Sequence, residues 1–221
     1  MKFLAALVLA TATSVVANVV LNNPAPVLEG VSIYSNEKWA VGFRTPALGT
    51  DEVVLRTTRT RRPPRITRKR SPSLGYFKFA VSTYENIAAN ASMFLQLELC
   101  PSVNDIFTRI FLLDLPDCTE PTASSRIHID NNGGGVDFRW FPDPYIVVAP
   151  NTRYWFALGS TSETSHKLPT WLYGTKDFST ANNSTGDVRV AHLKGDGDSW
   201  TLLPLYENRV PSLLVVSTYT N

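Results

Sequence analysis

Cysteine is scarce in this chain, since only Cys100 and Cys118 occur among its 221 residues. Neither belongs to a CxxC or CxxH pair, so the common zinc-binding spacings are absent, and we predict no metal site and no cofactor. In an oxidising compartment an even pair of cysteines predicts one disulfide, which here would close a loop of 19 residues. The alternative is a pair of buried free thiols.

Catalytic signatures are also missing. The sequence contains neither the GxSxG motif of serine hydrolases nor the HExxH motif of zinc proteases. Of its three histidines, His128 has an acidic neighbour, Asp130, on the same face of an expected strand. Such a pair is more typical of a structural contact, because a catalytic triad needs converging loops and an oxyanion site. Adjacent acids such as Asp51 and Glu52 point to opposite faces of a strand, so we predict no glycosidase pair and no catalytic residue.

Long apolar runs are absent except at the N-terminus, which reads MKFLAALVLATATSVVANVV. Lys2 precedes an apolar run over residues 3–12, and Val15 and Ala17 are small residues at positions −3 and −1 of a cut after Ala17. This is the pattern of a secretory signal peptide, and the run is shorter than the roughly 20 residues that span a bilayer. We predict a signal peptide over residues 1–17, a loose leader over 18–30, and a secreted, extracellular protein without a membrane span. The alternatives are a buried N-terminal helix and a membrane anchor.

Helical periodicity is nearly absent, and only TYENIAANASMF has room for a turn or two of helix. Elsewhere short runs rich in β-branched and aromatic residues are separated by Gly, Pro, Asn and Asp. In VDFRWF, for example, Val136, Phe138 and Trp140 share one face. Such runs predict one all-β domain over residues 31–221, an antiparallel β-sandwich of jelly-roll type. The expected strands cover residues 31–35, 39–45, 52–57, 76–84, 93–100, 109–115, 136–141, 153–159, 170–174, 188–193, 200–206 and 213–219.

Basic residues are concentrated in one stretch, where eight of the fifteen residues over 56–70 are Arg or Lys. Without these eight and Lys2, twelve basic side chains face nineteen acidic ones, a net charge of −7. An acidic body repels polyanions, so we predict no nucleic-acid partner. Two adjacent prolines and the repelling charges predict an exposed Arg-rich loop over residues 56–73. Its role stays open between binding extracellular glycans or other polyanions, cleavage by a kexin-like protease after Lys69 and Arg70, and a solvated insert.

The stretch VVAPNTRYWFALGS, residues 147–160, combines a Pro-Asn turn with a strand on which Tyr154 and Trp155 point to opposite faces. Tyr154 resembles the corner tyrosines that pin the strands of β-sandwiches. The stretch also resembles a strand of choice-of-anchor R domains in which an LAPNTTYWLVL-like segment recurs. WAVGFRT, FLQLELCPSVND and GDGDSWT resemble three further segments of that family, so that the resemblance extends over about residues 39–206.

The resemblance implies an extracellular β-sandwich of the kind found beside surface-anchoring signals, with no catalytic activity attached to it. This chain departs from the pattern in two respects. It has no anchoring tail, which favours release or wall association over covalent display. It also carries the Arg-rich segment between two early strands, where the family needs only a connection.

Aromatic residues are the best binding candidates, because exposed rings stack on the apolar faces of sugars and binding sites are mostly apolar with few polar groups. The candidates near turns or strand ends are Trp140, Trp171, Tyr173 and Trp200. Core packing is the alternative for each of them, and it is the expectation for Trp39 and Trp155. Sequons of the N-x-S/T type predict glycosylation at Asn90 and at either Asn182 or Asn183.

These observations favour a secreted, non-enzymatic β-sandwich of the cell surface or extracellular matrix that contacts carbohydrate. The rival hypothesis is a secreted glycan-active enzyme or its accessory domain. The two differ in what the fold must bring together. An enzyme needs a pocket with converging carboxylates or histidines, whereas a binding module needs a shallow aromatic strip.

Overall fold

The fold is all-β, as the sequence predicts. The residues that the structure describes contain no helix, and therefore no helix that is long and apolar enough to cross a membrane. In a computed structural model the described residues are 17–23, 26–47, 49–54, 65–70, 72–83, 93–105, 113–129, 135–143, 146–161, 168–176, 178, 187–195, 199–204 and 209–219. Their strands are β1 Ala17–Asn23, β2 Pro26–Ser32, β3 Lys38–Arg44, β4 Gly49–Val54, β5 Arg65–Arg70, β6 Pro72–Ser82, β7 Met93–Asp105, β8 Leu113–Pro116, β9 Ala123–Ile129, β10 Gly135–Trp140, β11 Ile146–Val147, β12 Arg153–Ser160, β13 Thr170–Gly174, β14 Arg189–Leu193, β15 Trp200–Leu203 and β16 Leu213–Tyr219.

Two antiparallel sheets of seven strands form a single-domain sandwich. Sheet I has the order β1-β16-β6-β13-β2. Strand β6 pairs with β16 along one edge and with β10 and β11 along the other, since Lys78 is in register with both Leu214 of β16 and Arg139 of β10. Sheet II has the order β15-β14-β3-β12-β7-β8, and β9 also pairs with β7. The antiparallel sandwich predicted from the spacing of apolar runs is therefore confirmed.

The main core lies between the sheets and is centred on Phe156 of β12. Its ring stacks on Phe77 at 5.2 Å between centroids and meets Trp171 edge-on at 5.7 Å, both from sheet I. Alternation along each strand supplies this core, as in β7, where Leu95, Leu97 and Leu99 are fully buried. Strand β12 is buried at all eight positions, so both of its faces must be covered.

The outer surface of sheet II carries a second, smaller core, the outer cluster, formed by Ala40, Cys100, Trp155, Ala157 and Ala191. A disulfide joins Cys100 to Cys118, as predicted, and brings Cys118 over this surface. The indole Nε1 of Trp155 donates to Ser102 Oγ at 3.2 Å. Gly42 leaves space for that indole, since a Cβ at this position would lie 3.0 Å from the ring.

Tyr154 pins the turn that precedes β12, as its resemblance to corner tyrosines predicts. Its hydroxyl oxygen accepts a hydrogen bond from the backbone N–H of Ala149 at 3.1 Å. Within the turn, Asn151 has a φ of 50°, a left-handed conformation that asparagine tolerates better than most residues.

Replacing Tyr154 by Phe should lower the free energy of unfolding by about 1 kcal/mol, because the ring keeps its packing while the Ala149 N–H loses its partner. For a chain of this size that corresponds to a fall in Tm of about 2 to 4 °C in a thermal melt. The matched control is Tyr34→Phe, since Tyr34 is an exposed tyrosine. Equal melting of the two variants would mean that the hydroxyl does not pin the turn.

The leader predicted over residues 18–30 is wrong, because residues 18–23 and 26–30 belong to sheet I. β1 pairs with β16 from Ala17 opposite Thr218 to Asn23 opposite Leu213, and β2 pairs with β13. Pro26 is the first residue of β2, a position where the missing N–H is tolerated. The buried side chain of Asn23 anchors the end of β1 by donating to the Val210 carbonyl at 3.0 Å.

The Arg-rich loop predicted over residues 56–73 is also wrong in part. β5, at Arg65–Arg70, pairs with β4 in a two-stranded sheet of its own, and β6 begins at Pro72. The physical reason is that the paired prolines at 63 and 64 precede β5, so every residue of β5 keeps the N–H that a strand ladder requires. Residues 55–64 and 71 lie outside the described residues.

Candidate functional site

A groove of about 670 Å³ opens where the edges of the two sheets meet, and we call it the edge groove. One wall comes from β9, which pairs with β7 in sheet II, and the segment before it. The other comes from β10, residues 141–143 and β11 on the side of sheet I. Its lining residues are Thr122, Ala123, Ser124, Ser125, Trp140, Phe141, Pro142, Asp143, Ile146 and Val147.

The apolar part of the edge groove has a buried base and an exposed rim. Trp140 and Ile146 form the base, with 7% and 8% of their surface exposed. Phe141 and Val147 form the rim and are each 60% exposed. The Phe141 ring lies 5.5 Å from that of Tyr76, which supports it from the sheet I side. An aromatic ring is therefore open to solvent directly after the end of β10.

The polar part of the edge groove consists of hydroxyls and one carboxylate. Thr122, Ser124 and Ser125 line the β9 wall, and the exposed Asp143 lies across from them. The Thr122 N–H donates to the Leu99 carbonyl at 2.7 Å, which fixes the start of this wall to β7. An aromatic ring beside hydroxyls and a single acid matches what a sugar presents, namely apolar CH faces and hydroxyl groups.

Two of the predicted binding residues, Trp140 and Trp171, are wrong as exposed stacking rings. Trp140 stacks on Phe77 at 5.0 Å and presents little of its surface to the groove. Trp171 is fully buried, and its Nε1 donates to the Ser212 carbonyl at 2.9 Å. In both cases the strand alternation directs the side chain inward, although the residue is close to a strand end.

The missed residue is Phe141, which follows Trp140 and so has the opposite phase of the β10 alternation. In the sequence, Val136, Phe138 and Trp140 already mark the inward phase. The next aromatic residue is then expected on the outside, so the sequence itself carries this signal.

Tyr173 lies in a second groove, of about 600 Å³, at the β2 edge of sheet I. Leu28, the most exposed of its apolar residues at 82%, contributes to the wall. The Tyr173 ring is half-buried, with the Arg209 guanidinium 5.9 Å from its centroid. Arg209 also pairs with Glu29 at 2.6 Å. Because Arg209 already lies near this ring, Tyr173 is a weaker stacking surface than Phe141.

Trp200 and Trp39 are half-buried side chains with structural contacts. Trp200 packs against the outer cluster of sheet II. Trp39 stacks on His192 at 4.2 Å, and its Nε1 donates to the Ser32 carbonyl at 3.2 Å. Trp155 is fully buried, which confirms its expected place in the interior.

The described histidines do not assemble a catalytic centre. His128 is exposed on β9 and meets Phe94 edge-on at 5.1 Å. His192 lies on β14, separated from β9 by β3, β12 and β7, and its Nε2 is 3.2 Å from a Glu37 carboxylate oxygen. His166 and Asp130 lie outside the described residues.

One cluster of potential metal ligands, Glu98 with Cys100 and Cys118, has its groups within 4.8 Å of one another. It is not suited to a metal, because both sulfurs belong to the disulfide and Glu98 pairs with Lys38 at 2.7 Å. The predicted sugar sites Asn90, Asn182 and Asn183 lie outside the described residues, so glycosylation stays a prediction. Cleavage after Lys69 and Arg70, and polyanion binding by the Arg-rich segment, also stay predictions.

Fold and groove together define an antiparallel β-sandwich with an open, partly aromatic groove at one edge. Comparison of the chain with models of known protein families, with curated proteins and with solved structures yields no match. The functional inference therefore depends on the geometry of the groove.

Proposed function

We propose that this chain is a secreted, non-enzymatic β-sandwich of the cell surface or extracellular matrix that binds carbohydrate in the edge groove. The observation that carries the proposal is the exposed Phe141 ring in a groove whose other wall is lined by Thr122, Ser124 and Ser125. A sugar stacked on this ring would place its hydroxyl groups toward the β9 wall, with Asp143 as a charged acceptor.

The number of carboxyl groups in the edge groove favours a binding role over hydrolysis. Glycosidases work with two carboxyl groups about 5 to 9.5 Å apart, one on each side of the scissile bond. Among the described residues that line the edge groove, Asp143 is the one carboxylate. A single acid orients a sugar by accepting hydrogen bonds but does not supply both the acid and the nucleophile or base.

Secretion is supported by the disulfide and by the N-terminal pattern. Disulfides persist in oxidising compartments and are rare in the cytosol. A signal-peptide cut after Ala17 would leave Asn18 as the first residue, and β1 would keep its register from Asn18 opposite Ser217 onwards. The resemblance to choice-of-anchor R domains supports a place at the cell surface in the same way, as part of the proposal.

The decisive test is a glycan array with the protein from Asn18 onwards, followed by titration of the best ligand against two variants. Phe141→Ala should weaken binding about tenfold, because losing one stacked ring costs about 1 to 1.5 kcal/mol. Its Tm should stay close to that of the wild type, since the ring is mostly exposed. Tyr34→Ala removes an exposed aromatic ring outside the groove and should leave binding unchanged.

Two results would count against the proposal. One is an array without any ligand, or a ligand that Phe141→Ala binds as tightly as the wild type does. The other is hydrolysis of the bound glycan that is abolished by Asp143→Asn, which would favour the enzyme alternative.

A further inference from the structure

Three arginines lie side by side on the outer surface of sheet II, and we call them the arginine strip. Arg44 ends β3, Arg153 begins β12 and Arg189 begins β14. Arg153 is in register with Arg44, and Arg189 is in register with Gly42, two residues from Arg44 on the same face. Their neighbours in the chain, Phe43, Tyr154 and Val190, belong to the main core, so the arginines point to the opposite side.

Two carboxylates accompany the arginine strip. Arg153 Nη1 lies 2.7 Å from Asp114 Oδ2, and Arg44 Nε lies 2.9 Å from Asp187 Oδ1. Arg189 makes no ion pair within the part of the chain that the structure describes. Among the residues that the structure describes, the strip and its ion-pair partners therefore carry three positive charges and two negative ones.

This arrangement is electrostatically costly. Like charges directly opposite each other on paired strands destabilise a sheet, and a buried charge needs a well-placed partner. The Arg153 side chain is only 3% exposed. Burial is the main cause that lowers its pKa, repulsion from Arg189 is the next, and attraction to Asp114 opposes them. An additional negative group beside Arg189 would offset the repulsion.

We propose that the arginine strip binds an oxyanion group, a carboxylate or a sulfate, as a second ligand site independent of the edge groove. The fixed fork of donors on a guanidinium matches the geometry of such oxyanions and binds them with charge-assisted hydrogen bonds. The site is open from the Arg44 side, where the side chains of Arg44 and Asp187 are 36% and 39% exposed. Arg189 contacts the anion together with the N–H groups of Arg44 that are not donated to Asp187 or to the Asn151 carbonyl. The buried Arg153 supports the positive potential behind them.

The test compares thermal melts of the wild type, Arg189→Gln and Arg139→Gln in chloride, acetate and sulfate at equal ionic strength. Arg139 is the matched control, an exposed arginine on β10 of the other sheet. In chloride, Arg189→Gln should raise Tm by about 2 °C, because it removes the repulsion on Arg153. In the anion that the strip prefers, the wild type should gain more than Arg189→Gln, so that this advantage disappears.

The two anions distinguish the sources of the ligand group. A gain specific to acetate indicates a carboxylate, as in an acidic sugar or peptide, and one specific to sulfate indicates a sulfate ester. Sulfate also stabilises proteins generally by exclusion from their surface, but that effect is common to all three proteins and cancels in the difference. Arg139→Gln should follow the wild type throughout.

Equal responses of Arg189→Gln and the wild type to both anions would overturn the proposal. The wild type alone provides a second measurement that does not depend on how Arg189→Gln folds. Calorimetric titration with sodium sulfate and with sodium acetate in a chloride buffer should give saturable binding of at least one of them at millimolar concentrations. Absence of saturable binding for both anions would equally refute the site.

Discussion

Replacing Phe156 by Ala is expected to lower the free energy of unfolding by about 4 kcal/mol, which corresponds to a fall in Tm of about 8 to 16 °C for a chain of this size. Phe156 is fully buried and contacts aromatic rings of sheet I on several sides. The centroid distances are 5.2 Å to Phe77, 5.3 Å to Phe79 and 5.7 Å to Trp171. Because these rings are fixed on two paired strands, β6 and β13, they have little scope to collapse into the space that Phe156 leaves.

Urea denaturation of the wild type, Phe156→Ala and Phe138→Ala measures this loss. Phe138 is the matched control, because it is half-buried and stacks on Phe79 at 5.6 Å from the edge strand β10. Its truncation should cost less than half as much, since much of the removed surface is already hydrated. Similar losses for the two variants would contradict the placement of Phe156 at the centre of the core.

Removing the disulfide with the double substitution Cys100→Ala and Cys118→Ala should cost about 3 kcal/mol, the loss expected when a loop of this length is no longer closed in the unfolded chain. The native state is affected as well, because Cys118 lies over the outer cluster around Trp155. The expected fall in Tm is about 6 to 12 °C. We expect the released segment to expose the Trp155 ring, which tryptophan fluorescence would report as a shift to longer wavelength.

The control for this prediction is a reducing agent. Reduction should bring the wild type close to the melting temperature of the double variant and leave the variant itself unchanged. Intact mass should confirm that the oxidised wild type is two hydrogens lighter than the reduced form. If fully reduced wild type melted like the oxidised protein, the disulfide would contribute nothing to stability.

The strands with clear alternation could be predicted from the sequence, and those defined by distant partners could not. In β7 the three leucines at alternate positions mark the buried face without reference to the rest of the fold. β1 has no such local signal, since its strand character depends on β16, almost two hundred residues away. β5 could not be predicted, because its dense positive charge is typical of an exposed loop, whereas its backbone pairs with β4.

Only part of the edge groove could be predicted from the sequence, for a related reason. The sequence indicates that Trp140 ends a strand, and its aromatic character suggested a binding residue. Its burial, however, depends on Phe77 and Phe156, which approach it only in the folded sandwich. The placement of β9 and β10 on the two walls of one groove is likewise a tertiary property that involves different sheets. The aromatic character of Trp140 therefore indicates the correct strand end. The exposed ring at that end belongs to the neighbouring Phe141, as the alternation along β10 predicts.

The pairing of β1 with β16 has a consequence for the order of events during synthesis. At about 5 to 20 residues per second, a ribosome needs roughly 10 to 40 s to make the chain between these two strands. Throughout that time β1 is without its partner, whereas both neighbours of β3 in sheet II, β12 and β14, are synthesised before β16. Contacts between distant segments of a chain form slowly in any case. Sheet II thus has the earlier opportunity to assemble, and this edge of sheet I closes after translation has delivered β16.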